Sequence, residues 1–207
     1  LQERSIVALL KRENAFLVAP TGGGKTLLTL EVIRRSGQRA LFLVPKAGLV
    51  TQTIREAADM LEPGVAVELK GKPHELSRIA VATYALLASI RRRDPEWYET
   101  LRQSFGLVLL DELHLGAADQ IRKTVDDMPA RFRFGVSATP RRKDGKEPLI
   151  LDLLGQAADI ITLDEGVEAG RIVHARIEIV PTCVRDPEVD SLRALQRSGR
   201  ARDLLKG

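Results

Sequence analysis

Eleven residues, FLVAPTGGGKT at 16–26, carry the first chemistry that can be read from this chain. Phe16, Leu17, Val18 and Ala19 form an apolar run with the character of a buried strand, three glycines follow, and Lys25-Thr26 open the helical pattern LLTLEVI. Glycine lacks a Cβ, so Gly22, Gly23 and Gly24 can take positive φ and turn backbone N–H groups inward at a helix N-terminus, where anions are stabilised. Such a loop binds phosphate. Lys25 would reach the β- and γ-phosphates of a nucleotide, and the Thr26 hydroxyl would hold Mg²⁺. The usual pattern G-x-x-x-x-G-K-[ST] has glycine where this chain has Ala19. Ala19-Pro20-Thr21 is therefore a variant, with Thr21 joining the glycines as a binding candidate, and the reading calls for a second site to support it.

The run LVLLDELH at 107–114 supplies one. A nucleotide triphosphate site needs a carboxylate near the metal and a base that orients the attacking water. Asp111 would join the metal's coordination shell and Glu112 would polarise water in line with the γ-phosphate. Two adjacent carboxylates at the end of a buried strand are costly unless a cation balances them. Their presence downstream of a phosphate loop supports the nucleotide reading and compensates for the missing glycine at Ala19.

These groups need a scaffold that brings residues 16–26 and 107–114 together. A helical face over residues 2–11 (Ile6, Val7, Leu9, Leu10) precedes the first strand, and the loop's helix ends near Ser36-Gly37. Strands are expected at 39–44, 65–69, 78–82, 107–110 and 132–136, with helices at about 49–61, 84–90, around Trp97 and Tyr98, and at 117–127. Residues 107–110 are too continuously apolar for a half-exposed strand and belong mid-sheet, covered on both faces. The last strand delivers Ser137-Ala138-Thr139-Pro140. Alternating strands and helices over about 130 residues predict an α/β fold, an open, mostly parallel sheet with helices on both faces. Ligands bind such sheets at the carboxyl ends of strands, where the phosphate loop, Asp111 and Ser137 all fall. Beyond Pro140 the pattern loosens: a basic stretch at 141–146, a short helix at 149–154, a strand at 157–162, a helical turn at 165–170 and an alternating strand at 171–180.

The 207 residues, 44% hydrophobic and 29% charged, suffice for a sizeable core, and no apolar run approaches the length of a membrane span. One cysteine, Cys183, excludes an internal disulfide framework and a cysteine-based zinc site, and fits a cytoplasmic or nuclear protein rather than a secreted one. The net charge of +4 permits contact with phosphate backbones, while 4% aromatics argue against broad base-stacking platforms. A start at Leu1, inside a helical pattern and without methionine, leads us to expect a piece of a longer protein.

APTGGGKT, DELH and SATP together resemble motifs I, II and III of superfamily 2 helicases and translocases, in particular their first RecA-like domain, a P-loop NTPase fold. The resemblance covers residues 1–180, with 181–207 expected as a linker toward a second RecA-like domain. VPKAGLVTQ at 44–52 is similar to motif Ia, and VATYALL at 81–87 to a segment that holds the tracking strand. SATPRRKDG resembles the branch containing XPB-type helicases, phage helicases and restriction-enzyme motor subunits. By this resemblance Gln2 contacts adenine and makes ATP the preferred nucleotide, and His114 couples the ATP site to motif III and the partner domain. Ser137 and Thr139 then bond around Asp111 and His114. Pro45, Lys46, Gln52, Thr83 and Tyr84 line one nucleic-acid strand's backbone, DNA more readily than RNA, by contacts that position rather than specify. Arg141 and Arg142 are candidates for the inter-domain cleft or nucleic acid.

No Q-x-x-G-R-x-x-R motif, the element that supplies arginine fingers across the cleft, occurs in the sequence. The isolated chain is therefore expected to bind nucleotide and hydrolyse it weakly. The leading function is ATP-driven movement on nucleic acid by a helicase or translocase. A motor subunit of a restriction or remodelling complex that translocates duplex without unwinding it, and a non-hydrolysing nucleotide-gated clamp, are the alternatives.

Overall fold

The computed structural model describes residues 2–70, 77–112, 125–138, 152–170 and 172, all within one compact unit, Leu1–Val173. Among them are seven strands: β1 (Asn14–Val18), β2 (Ala40–Val44), β3 (Ala66–Glu68), β4 (Ile79–Thr83), β5 (Leu107–Leu110), β6 (Phe132–Ser137) and β7 (Ala157–Ile160). The helices are α1 (Gln2–Leu10), α2 (Lys25–Ser36), α3 (Ala47–Met60), α4 (Tyr84–Arg93), α5 (Pro95–Gln103) and α6 (Leu163–Glu168). The strands form one sheet in the order β3-β4-β2-β5-β6-β1-β7. Every pairing in it is parallel, so among the described residues the expected mostly parallel sheet is wholly so. The expected helix at 117–127, the basic stretch at 141–146 and the strand at 171–180 fall wholly or mainly outside the described residues.

A parallel sheet must be covered on both faces, and the period of two along each strand divides its side chains between two cores. Ala40, Phe42 and Val44 of β2 and Leu107 and Leu109 of β5 point into the layer shared with α1, α2 and α3. Leu41, Leu43, Val108 and Leu110 point the other way, to α4 and α5 through Leu87, Tyr98 and Leu101. The middle strands β2 and β5 are buried at every position, which is why their sequences run apolar without alternation.

Local signals set the helix ends. Thr83 caps α4 by accepting from the Leu86 amide at 3.1 Å, and Asp94 caps α5 by accepting from Trp97 at 3.0 Å with Pro95 in the first turn. Thr162 and Glu165 form a reciprocal capping box on α6. α2 is different: its N-cap is Gly24 in the left-handed region, φ 77°, with no side-chain cap. The free amides at that helix start are left to another acceptor.

Phe134 on β6, 1% exposed, is among the largest fully buried side chains and faces the α1–α3 layer. Phe134→Ala is expected to cost about 3–5 kcal/mol and to lower the melting temperature by roughly 10 °C. A thermal unfolding curve checks this, and a shift below about 3 °C would mean the core collapses around the deletion.

Candidate nucleotide site

The strand order determines which loops meet. β1 and β5 are separated in the sheet only by β6, and Val18 pairs with Ser137 while Leu110 pairs with Gly135. The loop after β1 and the acidic pair after β5 therefore emerge on the same edge, on either side of Ser137. The backbone carries the loop off the sheet: the Ala19 amide donates to the Ser137 carbonyl at 2.9 Å, and Gly23 donates to Pro20 at 3.0 Å. Gly22 and Gly24 have φ of 83° and 77°, which other residues adopt only under strain. A Cβ on Gly23 would stand 2.9 Å from the Pro20 carbonyl oxygen, and one on Gly24 only 2.6 Å from the Gln2 side-chain amide nitrogen.

Together these loops wall a cavity of about 650 Å³. Thr21, Gly22, Gly24, Lys25 and Thr26 line it from the glycine loop, and Asp111 and Glu112 from the end of β5. Lys25 Nζ lies 3.2 Å from Glu112 Oε1. The Glu112 amide donates to its neighbour's Asp111 Oδ1 at 3.0 Å, and Glu112 itself has φ 50°. Tyr84 donates its hydroxyl to the Asp111 carbonyl at 2.8 Å. Desolvation, with the charges of Asp111 and Glu112, pushes its phenol well above the usual range, so it remains a donor.

Burial, reinforced by repulsion from Glu112 and only partly offset by Lys25, raises the Asp111 carboxyl to about 6. The cavity thus disfavours its own negative charge until a cation arrives. Thr26 and Asp111 both line the cavity and carry hard oxygen donors, the kind that Mg²⁺ takes when phosphates and water complete its shell. A group whose folded pKa is raised destabilises the fold above that pKa, and the penalty fades as pH falls toward the unfolded value. Asp111→Asn should accordingly raise ligand-free stability at pH 8, by on the order of 1–3 kcal/mol. The gain should shrink on titration from pH 7 to pH 5. Melting curves of both proteins over that range test it, and a difference independent of pH would refute the burial argument.

The structure places other expected residues as follows. Gln2, on α1, packs its side-chain amide against Gly24, and its Nε2 is buried with no hydrogen-bond partner among the described residues. α1 is held there by contacts to the far edge of the sheet: Ser5 donates to Asp159 at 2.6 Å, and Arg4 reaches Asp159 at 2.9 Å and Glu165 at 2.8 Å. Ser137 is buried, 4% exposed, at the end of β6. His114 and Thr139 lie outside the described residues. Pro45, Lys46, Thr83 and Tyr84 sit at the carboxyl ends of the adjacent strands β2 and β4, where Thr83 is engaged as the α4 cap and Tyr84 with Asp111. Gln52 stands apart from these four. It lines the same cavity as the glycine loop and donates to Glu56 at 2.8 Å. Sequence reasoning did not find Glu56, Asp59 or Met60, which line the cavity from the same face of α3, nor Leu27 and Leu49.

Residues 1–142 match the family described as Type III restriction enzyme, res subunit. The chain belongs to that family. Like its relatives it is a first RecA-like domain of the superfamily 2 helicase type. Among its relatives, the DNA 3'-5' helicase XPB of Mycobacterium tuberculosis is 32% identical over 145 residues, covering 67% of this chain and 26% of that protein. The DNA 3'-5' translocase XPB2 of Sulfurisphaera tokodaii is 30% identical over 156 residues, covering 74% of this chain and 33% of the relative. The fold is shared with the crystal structure of bacteriophage T4 UvsW at a TM-score of 0.65 and 19% identity, covering 76% of this chain and 33% of that one. The chain therefore spans about a quarter to a third of the length of these relatives. Among the described residues no helix is long and apolar enough to cross a membrane.

Proposed function

We propose that this domain is the ATP-binding half of a motor that hydrolyses ATP to move along DNA. The observation that carries the reading is the meeting of Lys25, Thr26, Asp111 and Glu112 on one cavity, from loops 85 residues apart in sequence. In it the amides of 22–25 and Lys25 hold the phosphates, Thr26 and Asp111 hold Mg²⁺, and Glu112 orients the water. Mg²⁺ supplies charge neutralisation at the transferring phosphate. The buried, unsatisfied amide of Gln2 beside Gly24 supports adenine as the base, since a donor left without a partner is costly until a ligand accepts from it. The domain boundary near residue 180, and coupling through Ser137, His114 and Thr139, belong to the same proposal.

Two relatives are named as DNA 3'-5' enzymes, one a helicase and one a translocase. That favours DNA as the track, contacted by Pro45, Lys46, Thr83 and Tyr84, with Gln52 between the nucleotide cavity and the track. The restriction-enzyme family match favours a specific second reading, translocation along duplex without strand separation. The test uses a protein extended through a second RecA-like domain, with ATPase measured alone, with single-stranded DNA and with duplex. Stimulation by DNA supports the motor, and the preferred form of DNA separates the two readings. Binding of ATP without hydrolysis in any condition would leave a nucleotide-gated clamp instead.

A further inference from the structure

α1 has nine residues, fewer than the roughly 12–15 at which an isolated helix becomes even marginally stable in water. Its first turn therefore keeps its place through ties to the rest of the fold. Successive residues turn by about 100° around a helix, and the four that open α1 reach in different directions. Gln2 packs its side-chain amide against Gly24 of the glycine loop. Glu3 accepts from Nη1 and Nη2 of Arg35 on α2, at 2.6 and 2.8 Å. Arg4 reaches the edge of the sheet, where its Nε donates to Asp159 Oδ2 of β7 at 2.9 Å and its Nη1 to Glu165 Oε1 of α6 at 2.8 Å. Ser5, itself buried, donates to the same Asp159 oxygen at 2.6 Å. The Ile160 amide holds the other Asp159 oxygen at 3.0 Å, so this carboxylate is a fixed anchor.

From this geometry we infer that Arg4 is a positioning residue for the nucleotide base: by joining α1 to β7 and α6 it holds the Gln2 amide beside the glycine loop. The inference rests on the adenine reading proposed above. A glutamine amide gives one hydrogen bond and takes another, which matches the N7 acceptor and the N6 amino donor of adenine. Guanine presents two acceptors, N7 and O6, along the same edge. The match discriminates only while the amide is kept at one distance and angle, and Gln2, as the first residue of a short helix, cannot keep it unaided. The edge strand β7 thereby takes part in the choice of base although it carries none of the phosphate-binding residues.

The test is equilibrium binding of ADP, GDP and inorganic triphosphate to the 207-residue chain. Arg4→Met should weaken ADP about 5-fold, the worth of one hydrogen bond to the base, and leave GDP and triphosphate within about 2-fold. The side chain is half exposed, so the fold should survive, and a melting curve verifies it. Asp159→Ala cuts the same tie from the sheet and should act in the same direction. In a Gln2→Ala background Arg4→Met should change ADP affinity by less than about 2-fold, because the route through Gln2 is already gone. An unchanged ratio of ADP to GDP affinity in both single variants overturns the inference. Equal losses for all three ligands also overturn it, since they would place the effect on the phosphate loop, and so does a loss that persists undiminished without Gln2. If the wild-type chain binds triphosphate but does not prefer ADP to GDP, the adenine reading itself fails and takes the role of Arg4 with it.

Discussion

Alone, the 207-residue chain will bind ATP but hydrolyse it about 10³–10⁵-fold more slowly than the same domain joined to a second RecA-like domain, the range attached to a missing arginine finger. Among the described residues that line the cavity Lys25 is the one cation, and it is shared with Glu112. Charge develops on the transferring phosphoryl group as it passes to water, and one lysine with the loop amides stabilises only the side facing this domain. In the proposed motor the second RecA-like domain supplies the charge on the other side. Turnover measured on both lengths of protein, at saturating ATP and matched DNA, reads the difference directly. Comparable rates would mean that this domain supplies its own transition-state cation, and the division of labour proposed here would be wrong.

Lys25→Met in the longer protein should reduce ATP turnover by about 10²–10³-fold, with most of the loss in the chemical step. Lys25 emerges in the first turn of α2, directly after the uncapped Gly24, so its ammonium and the free amides converge on one volume. The amides remain in the variant, so phosphate binding should weaken less than turnover. Folding should survive, because the side chain's one described ionic partner is Glu112. The check is a comparison of ADP affinity, melting temperature and maximal rate. A rate within 10-fold of wild type, with the fold intact, would remove Lys25 from the proposed mechanism.

Much of this site could be read from residue order. The glycine loop and the acidic pair stood out by residue type and the structure brings them to one cavity, and the continuous apolar runs of β2 and β5 announced a sheet covered on both faces. What stayed hidden depends on orientation. α3 shows helical periodicity, yet the pattern does not say which flank looks at the glycine loop, so Glu56 and Asp59 were missed and Gln52 was expected only beside nucleic acid. The left-handed backbone of Glu112 has no signature in a sequence that places glutamate there. The ties from Arg4 and Ser5 to Asp159, about 155 residues away, belong to tertiary packing alone.

The position of β6 sets a ruler across the mouth of the cavity. Adjacent parallel strands stand about 4.8 Å apart, so the strand carrying the glycine loop and the strand carrying Asp111 are held roughly 10 Å from each other by backbone hydrogen bonding. Side-chain changes at the carboxyl end of β6 can alter what fills that gap, but they cannot widen it. The spacing between the glycine loop and the acidic pair is thereby insulated from changes at the surface and comes with the fold. Substrate choice is left to the loops, while reach is a property of the sheet.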